Sequence, residues 1–151
     1  MIFLDASVLL AAEDADDRHH LAATALLRTG ALATLDLAVY ETTNVAAVRW
    51  RNPAASDRLR ERVWAIAEFG ALVRVDRVLA ERTAALAAQH ELSAYDAAYV
   101  AGAERLGVPL ASCDERDLIS RGARASTGKP PRRLSADRGP RVEPPGDPLH
   151  N

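Results

Sequence analysis

The chain has 151 residues, of which 48% are hydrophobic and only 5% are aromatic. This length fits one ordinary domain, and the composition favours an aliphatic core of Leu, Val, Ala and Ile over an aromatic-lined binding barrel. The formal net charge of −2 excludes a protein that binds nucleic acid by bulk positive charge alone.

Apolar runs in chain order predict an alternation of strands and helices. Short runs at 2–4, 37–40, 72–75 and 108–111 are typical of buried strands, because each is too short for a stable helix and is followed by polar residues. Helical spacing of apolar residues lies between these runs, at 21–26, 59–67, 79–87 and 97–104. Strands that alternate with helices predict a parallel sheet covered on both faces.

Helix ends are marked in three places. Asn52-Pro53 predicts a helix start, since proline is tolerated at the first helical position. Ser93 and Asp96 have the spacing of a capping box, with Asp in place of the usual Glu. Gly107, followed by Val-Pro, predicts a helix stop before the last strand.

The last part of the chain differs in charge and composition. Residues 1–119 hold 12 Lys/Arg and 18 Asp/Glu, whereas residues 120–151 hold 7 and 3. Six of the eight prolines lie in residues 128–148, where few apolar side chains are available to pack a core. We therefore predict a folded domain over 1–122 and a basic, Pro-rich, poorly ordered tail over 123–151.

The single cysteine and the first residues of the sequence indicate the cellular compartment of the protein. One cysteine cannot form a disulfide within the chain, and this indicates a reducing compartment. The first residues lack the basic and apolar regions of a signal peptide, and no apolar run approaches the ~20 residues of a membrane span. We expect a cytoplasmic protein with no membrane association.

Four carboxylates stand at corresponding places in the predicted fold. Asp5, Glu41 and Asp114 follow predicted strands, and Asp96 opens a predicted helix. Taken singly, each is explained as a helix cap or as an acidic residue in a first turn. Taken together they should meet at one edge of the sheet, because strand carboxyl ends and helix amino ends share that edge.

Such a cluster needs protons or a cation. Two carboxylates ~4 Å apart repel by about 4 kcal/mol at an effective dielectric constant of 20. An all-oxygen set suits Mg²⁺ or Mn²⁺. A bound ion of this kind activates water and polarises a phosphodiester, so hydrolysis needs no protein nucleophile.

Four segments of the sequence resemble PIN domains, and most of all the VapC toxins of bacterial toxin–antitoxin pairs. They are MIFLDAS (1–7), YE (40–41), LSAYDAAYVA (92–101) and LASCDERDL (110–118). Their order and spacing agree with the family across nearly the whole predicted domain.

The resemblance implies a three-layer α/β/α fold with a central, mostly parallel sheet of four to five strands, and a Mg²⁺- or Mn²⁺-dependent endoribonuclease. It places the acidic site on Asp5, Glu41, Asp96 and Asp114. It also implies an antitoxin of the VapB type that blocks the site, and a homodimer.

Further residues join these four. By resemblance Asp117 supports the metal site and Ser7 and Ser112 supply hydroxyls near it, while Asn44 lies one turn after Glu41 and could orient it. Arg49-Trp50-Arg51 pairs two charges with an aromatic and could clamp RNA, although arginines at a helix end beside a half-buried tryptophan are the commoner arrangement. Arg116 follows Asp114 and could offer a basic rim to the acidic site.

Other interpretations stay open at this point. A PIN-like module that binds RNA or a protein without catalysis would keep the carboxylates for folding. An aspartate-dependent phosphotransferase would need a second aspartate that Asp5-Ala-Ser7 lacks. His19-His20 has no further ligands at zinc spacing, and Cys113 has no histidine nearby in sequence to activate it.

Overall fold

The computed structural model of the protein describes residues 1–113. Predictions for Asp114, Arg116 and Asp117, and for the tail over 123–151, lie outside the described residues.

Four parallel strands form the centre of the fold. They are β1 (Ile2–Leu4), β2 (Leu32–Leu35), β3 (Ala71–Val73) and β4 (Leu110–Ala111). Their order across the sheet is β3-β2-β1-β4, and every neighbouring pair is parallel. Because β1 lies between β2 and β4, the residues that follow β1 stand in the middle of the sheet's carboxyl edge.

Helices occupy the connections between the strands. They are α1 (Ala6–Glu13), α2 (His20–Leu26), α3 (Leu37–Thr43), α4 (Pro53–Phe69), α5 (Arg77–His90) and α6 (Ala94–Leu106), with a π-helical segment at Asn44–Arg49 that continues α3. No helix within residues 1–113 is both long enough and apolar enough to cross a membrane.

Two separate apolar clusters cover the two faces of the sheet. Phe3 is fully buried in the cluster formed with α5 and α6, whereas Leu4, the next residue, is fully buried in the cluster formed with α1, α2 and α4. Successive strand residues point to opposite faces, so each strand contributes to both clusters. The predicted three-layer α/β/α arrangement with a parallel sheet is confirmed.

One predicted strand is wrong. Residues 37–40 belong to α3, and the second strand is Leu32–Leu35, which precedes them. A short apolar run fits a buried strand and a buried helical turn equally well, so its period cannot separate the two. The true strand contains Thr34, whose buried hydroxyl donates to the carbonyl oxygen of Leu4 at 2.8 Å.

The three predicted helix boundaries are confirmed. Asn52 caps α4, with its side chain accepting from the N–H of Ala55, and Pro53 is the first helical residue. The Ser93 hydroxyl accepts from the N–H of Asp96 at the start of α6. Gly107 ends α6 with a left-handed φ of 63°, a conformation that glycine adopts at no steric cost.

Candidate active site

Asp5 connects the central strand to the first helix. Its backbone N–H donates to the carbonyl oxygen of Ala111 on β4 at 3.0 Å, and its side chain caps α1 by accepting from the N–H of Ser7 at 3.3 Å. Only 7% of the residue is exposed. The capping role and the site position predicted for Asp5 therefore coexist in one side chain.

Two hydroxyls hold the Asp5 carboxylate. The Oγ atoms of Ser112 and Ser7 donate to Asp5 Oδ2 at 2.7 and 3.1 Å. Ser7 Oγ in turn accepts from the backbone N–H of Cys113 at 3.0 Å. Pairing of β4 with β1 thus brings Ser112 to Asp5 from the far end of the domain.

Glu41 reaches the same region from a different place than predicted. It does not follow a strand, since α3 begins at Leu37 and Glu41 lies in the second turn of that helix. Its carboxylate oxygen Oε2 accepts a short hydrogen bond from the hydroxyl of Tyr99 on α6. This contact joins the two helices across the carboxyl edge of the sheet.

Tyr99 is the residue that the sequence prediction missed. It is 1% exposed and belongs to the buried face of α6, where its spacing predicts only a core residue. The sequence does contain one indication of this role. Tyr99 carries a hydroxyl group on an otherwise apolar helix face, and a buried tyrosine hydroxyl needs a hydrogen-bond partner.

Asp96 caps α6 and borders the same cleft as Asp5 and Glu41. Its N–H donates to Ser93 Oγ at 3.1 Å, and its Oδ2 accepts from that same hydroxyl at 2.7 Å, so it completes the cap of α6. The side chain also lines the cleft that contains Asp5 and Glu41.

This cleft, the candidate catalytic cleft, has a volume of about 670 Å³ at the carboxyl edge of the sheet. Three of the four predicted carboxylates line it, together with Ser7, Asn44 and Arg49. Arg51 is not among the residues that line it, so the structure brings together only Arg49 of the two described arginines that were predicted to bind RNA.

Electrostatics in the cleft disfavour negative charge. Burial raises the pKa of Asp5, against the hydrogen bonds from Ser112 and Ser7 that lower it, and the charge of Asp96 raises it further. Burial likewise raises the pKa of Glu41, the hydrogen bond from Tyr99 lowers it, and the charges of Asp5 and Asp96 raise it. A cation bound in the cleft would favour the charged carboxylates and so lower the pKa of both Asp5 and Glu41.

The described donors suit a hard divalent cation, although they do not complete a site. All are oxygens, which Mg²⁺ and Mn²⁺ prefer. Within residues 1–113, however, no three Asp, Glu, His or Cys side chains group closely enough to hold one ion together. Mg²⁺ needs only one or two carboxylates when waters and phosphate oxygens fill its shell, so these residues fit it in that mode.

Covalent catalysis by the cysteine is disfavoured. Burial and the charges of Asp17 and Asp5 raise the pKa of the Cys113 thiol to about 12, so the thiolate nucleophile is not available near neutral pH. His19 and His20 make local contacts, with the Arg18 side chain and the Ala11 carbonyl respectively. These contacts match the structural role expected for the two histidines.

Comparisons with known proteins agree with this geometry. A PIN domain family model matches residues 2–124. Ribonuclease VapC3 of Pyrobaculum aerophilum is 34% identical over 125 residues, which cover 76% of this chain and 90% of the relative.

Two solved structures share the fold. The sarcin-ricin loop cleaving toxin VapC20 of Mycobacterium tuberculosis has a TM-score of 0.67 at 20% identity, over 77% of this chain and 92% of its own. A toxin–antitoxin complex from Klebsiella pneumoniae has a TM-score of 0.62 at 19% identity, over 82% and 94%. At these identities the two structures support the three-layer fold alone.

Proposed function

The chain belongs to the PIN domain family, and we propose that it is the toxin of a toxin–antitoxin pair that cleaves RNA endonucleolytically. The observation that carries this proposal is the convergence of Asp5, Glu41 and Asp96 on one cleft from β1, α3 and α6. The ribonuclease relative at 34% identity supports the same reaction class.

We propose Mg²⁺ or Mn²⁺ as the cofactor. Asp5, Glu41 and Asp96 would hold it together with Asp114, with Asp117 in support; the last two lie outside the described residues. When bound, such an ion polarises the phosphodiester and lowers the pKa of an attacking water.

The remaining residues prepare the cleft for this chemistry. Ser7 and Ser112 donate to Asp5 and so fix the direction of its carboxylate. Tyr99 does the same for Glu41 from the opposite helix. All three hydroxyl groups are supports of the kind that orient metal-binding carboxylates. Asn44 borders the cleft beside them.

RNA is a polyanion and is repelled by the carboxylates of the cleft. A positively charged side chain at the wall of the cleft reduces this repulsion. Arg49 lines the cleft and is exposed, which suits contact with a substrate phosphate. Of the two described arginines predicted to bind RNA, only Arg49 is therefore proposed to contact it.

A VapB-type antitoxin would inhibit the enzyme by occupying this same cleft. A basic side chain placed among the carboxylates would neutralise them as a cation does. We also propose a homodimer, and activity in the cytoplasm, where cellular RNA is the substrate. Sedimentation of the chain alone and with its antitoxin tests both assemblies.

Cleavage of an end-labelled RNA tests the function. We expect internal cuts with Mg²⁺ or Mn²⁺, none in EDTA, and none with Asp5→Asn. Asp57→Asn is the matched control, since Asp57 lies on α4 with its side chain 65% exposed and does not line the cleft. Cutting that persists in EDTA and in Asp5→Asn would show a metal-independent nuclease. RNA binding without any cleavage would show a non-catalytic module.

A further inference from the structure

A second hollow adjoins the candidate catalytic cleft. It has a volume of about 480 Å³, and four residues line both spaces. The shared residues are Ser7, Leu10, Val45 and Arg49. Beyond them the hollow, called here the Trp50 groove, is lined by Trp50, Arg18, His19, Asp14, Asp17 and Cys113. A polymer that occupies the cleft can therefore continue into the groove without leaving the surface.

Two arginines of this groove are available to a ligand. Within residues 1–113 neither Arg18 nor Arg49 forms an ion pair with a carboxylate, whereas Arg58, Arg82 and Arg105 on the helices are all paired. Both residues are exposed, and guanidinium groups without a carboxylate partner in this part of the chain suit phosphate oxygens.

His19 holds the Arg18 side chain at the wall of the groove. It is 4% exposed, and its Nε2 accepts from Arg18 Nε at 2.9 Å. This contact uses the Nε–H of the Arg18 guanidinium, so its two terminal NH₂ groups can donate to a phosphate.

The mixture of charges narrows the class of ligand. Asp14 and Asp17 also line the groove, and each accepts a backbone N–H of its own turn, from Asp16 and His19. Their presence makes the groove unsuited to a simple anion. A nucleotide fits better, because its phosphate is anionic whereas its base carries amino groups that carboxylates accept.

Trp50 completes a nucleotide site. Its side chain is 37% exposed at the groove wall, and an exposed indole offers a face on which any base can stack. We propose that the Trp50 groove binds the RNA nucleotide next to the scissile phosphate, with Trp50 under the base and Arg18 and Arg49 on the backbone. This inference rests on the proposed function and adds a base-selecting subsite to it.

Trp50 can report its own contact. The chain has two tryptophans, so Trp64→Phe leaves Trp50 as the single indole. Combined with Asp5→Asn, which keeps the RNA intact in Mg²⁺, this variant should lose fluorescence when a short single-stranded RNA binds. The matched Trp50→Phe variant, which retains Trp64, should not change. Unchanged Trp50 emission at an RNA concentration that saturates fluorescence anisotropy overturns the proposal.

Affinities test the same site by substitution. Trp50→Ala should weaken RNA binding roughly 5- to 150-fold, the loss expected for one base–aromatic stack, while Trp64→Ala should leave it unchanged. Arg49→Gln should reduce the salt dependence of binding by about 0.7 in log–log slope. Its neighbour Arg51, which lines neither space, is the control.

The outcomes separate this site from the proposed reaction. RNA with amino-bearing bases should bind more tightly than oligouridine, whose base edge lacks an amino group, and equal affinities would contradict the role of Asp14 and Asp17. Cleavage that is unaffected by Trp50→Ala would leave the nuclease intact and refute the groove. Quenching of Trp50 by RNA without cleavage would support the groove and refute the proposed nuclease activity. Quenching by an antitoxin but not by RNA would assign the groove to the partner.

Discussion

Tyr99→Phe isolates one hydroxyl group that links two helices of the site. The substitution keeps the ring in the core and removes only the donor to Glu41 Oε2. A hydrogen bond to a charged group contributes about 1.5–3 kcal/mol. Glu41 is only half-buried, so water can replace part of this bond and we expect the lower end. A loss of about 1.5 kcal/mol lowers the Tm by roughly 3–6 °C in a protein of this size.

The effect on cleavage should exceed the effect on stability. Loss of a group that orients a metal-binding carboxylate typically costs about 10–100-fold in activity or metal affinity. Mn²⁺ affinity measured by calorimetry should fall together with kcat, while KM for RNA stays nearly constant. Tyr95→Phe on the same helix is the control for stability, since Tyr95 is 60% exposed.

A double-mutant cycle with Glu41→Ala can refute this reasoning. In the wild type the Tyr99 hydroxyl has an acceptor, so its removal destabilises. In Glu41→Ala the hydroxyl is a buried donor without that acceptor, and its removal should be neutral or stabilising. An equal loss of stability in both backgrounds would show that Tyr99 acts through something other than Glu41.

Three further substitutions follow from contacts of the site and of the core that supports it. Asp5→Asn should abolish cleavage yet raise the Tm of the metal-free protein by roughly 2–8 °C, for a gain of about 1–2 kcal/mol. Because the pKa of Asp5 is raised on folding, its penalty is complete above the folded pKa, and the gain should shrink as the pH falls towards the unfolded value; a gain that grows with acidification contradicts this. Ser112→Ala should reduce kcat about tenfold and Ser112→Thr, which keeps the donor, should not; equal losses would rule out the hydroxyl. Gly102→Ala should destabilise by about 1–3 kcal/mol despite better helix propensity, since its Cβ would lie 2.5 Å from Phe3 Cζ; a denaturation midpoint at or above that of the wild type would contradict the clash.

The sequence predicts the fold class and most helices because their signals are local. The period of apolar residues in α4, α5 and α6, and the caps at Asn52 and Ser93, lie within each segment. The strand at Leu32–Leu35 was missed because its four residues carry no period that separates it from the apolar turn that follows. Tertiary pairing with β1 and β3 decides that segment, and no local pattern records it.

The candidate site residues likewise differ in whether a local sequence signal could predict them. Asp5 and Asp96 were predicted from their positions after a strand and at a helix start, and the structure places both at those positions. Glu41 was predicted for an incorrect reason, since it lies inside a helix and not after a strand. Tyr99 could not be found from spacing, because the feature that distinguishes it is a partner 58 residues away.

Pairing of β1 with β4 also sets when the site can form during synthesis. Phe3 and Leu4 of β1 pair with Leu110 and Ala111 of β4. This pairing can form only after almost the whole domain has been synthesised. A contact this distant in sequence forms late and slows folding. A chain still on the ribosome lacks Ser112 beside Asp5 until that strand has emerged. For the nuclease proposed above, this topology delays formation of the site until nearly the whole domain has been synthesised.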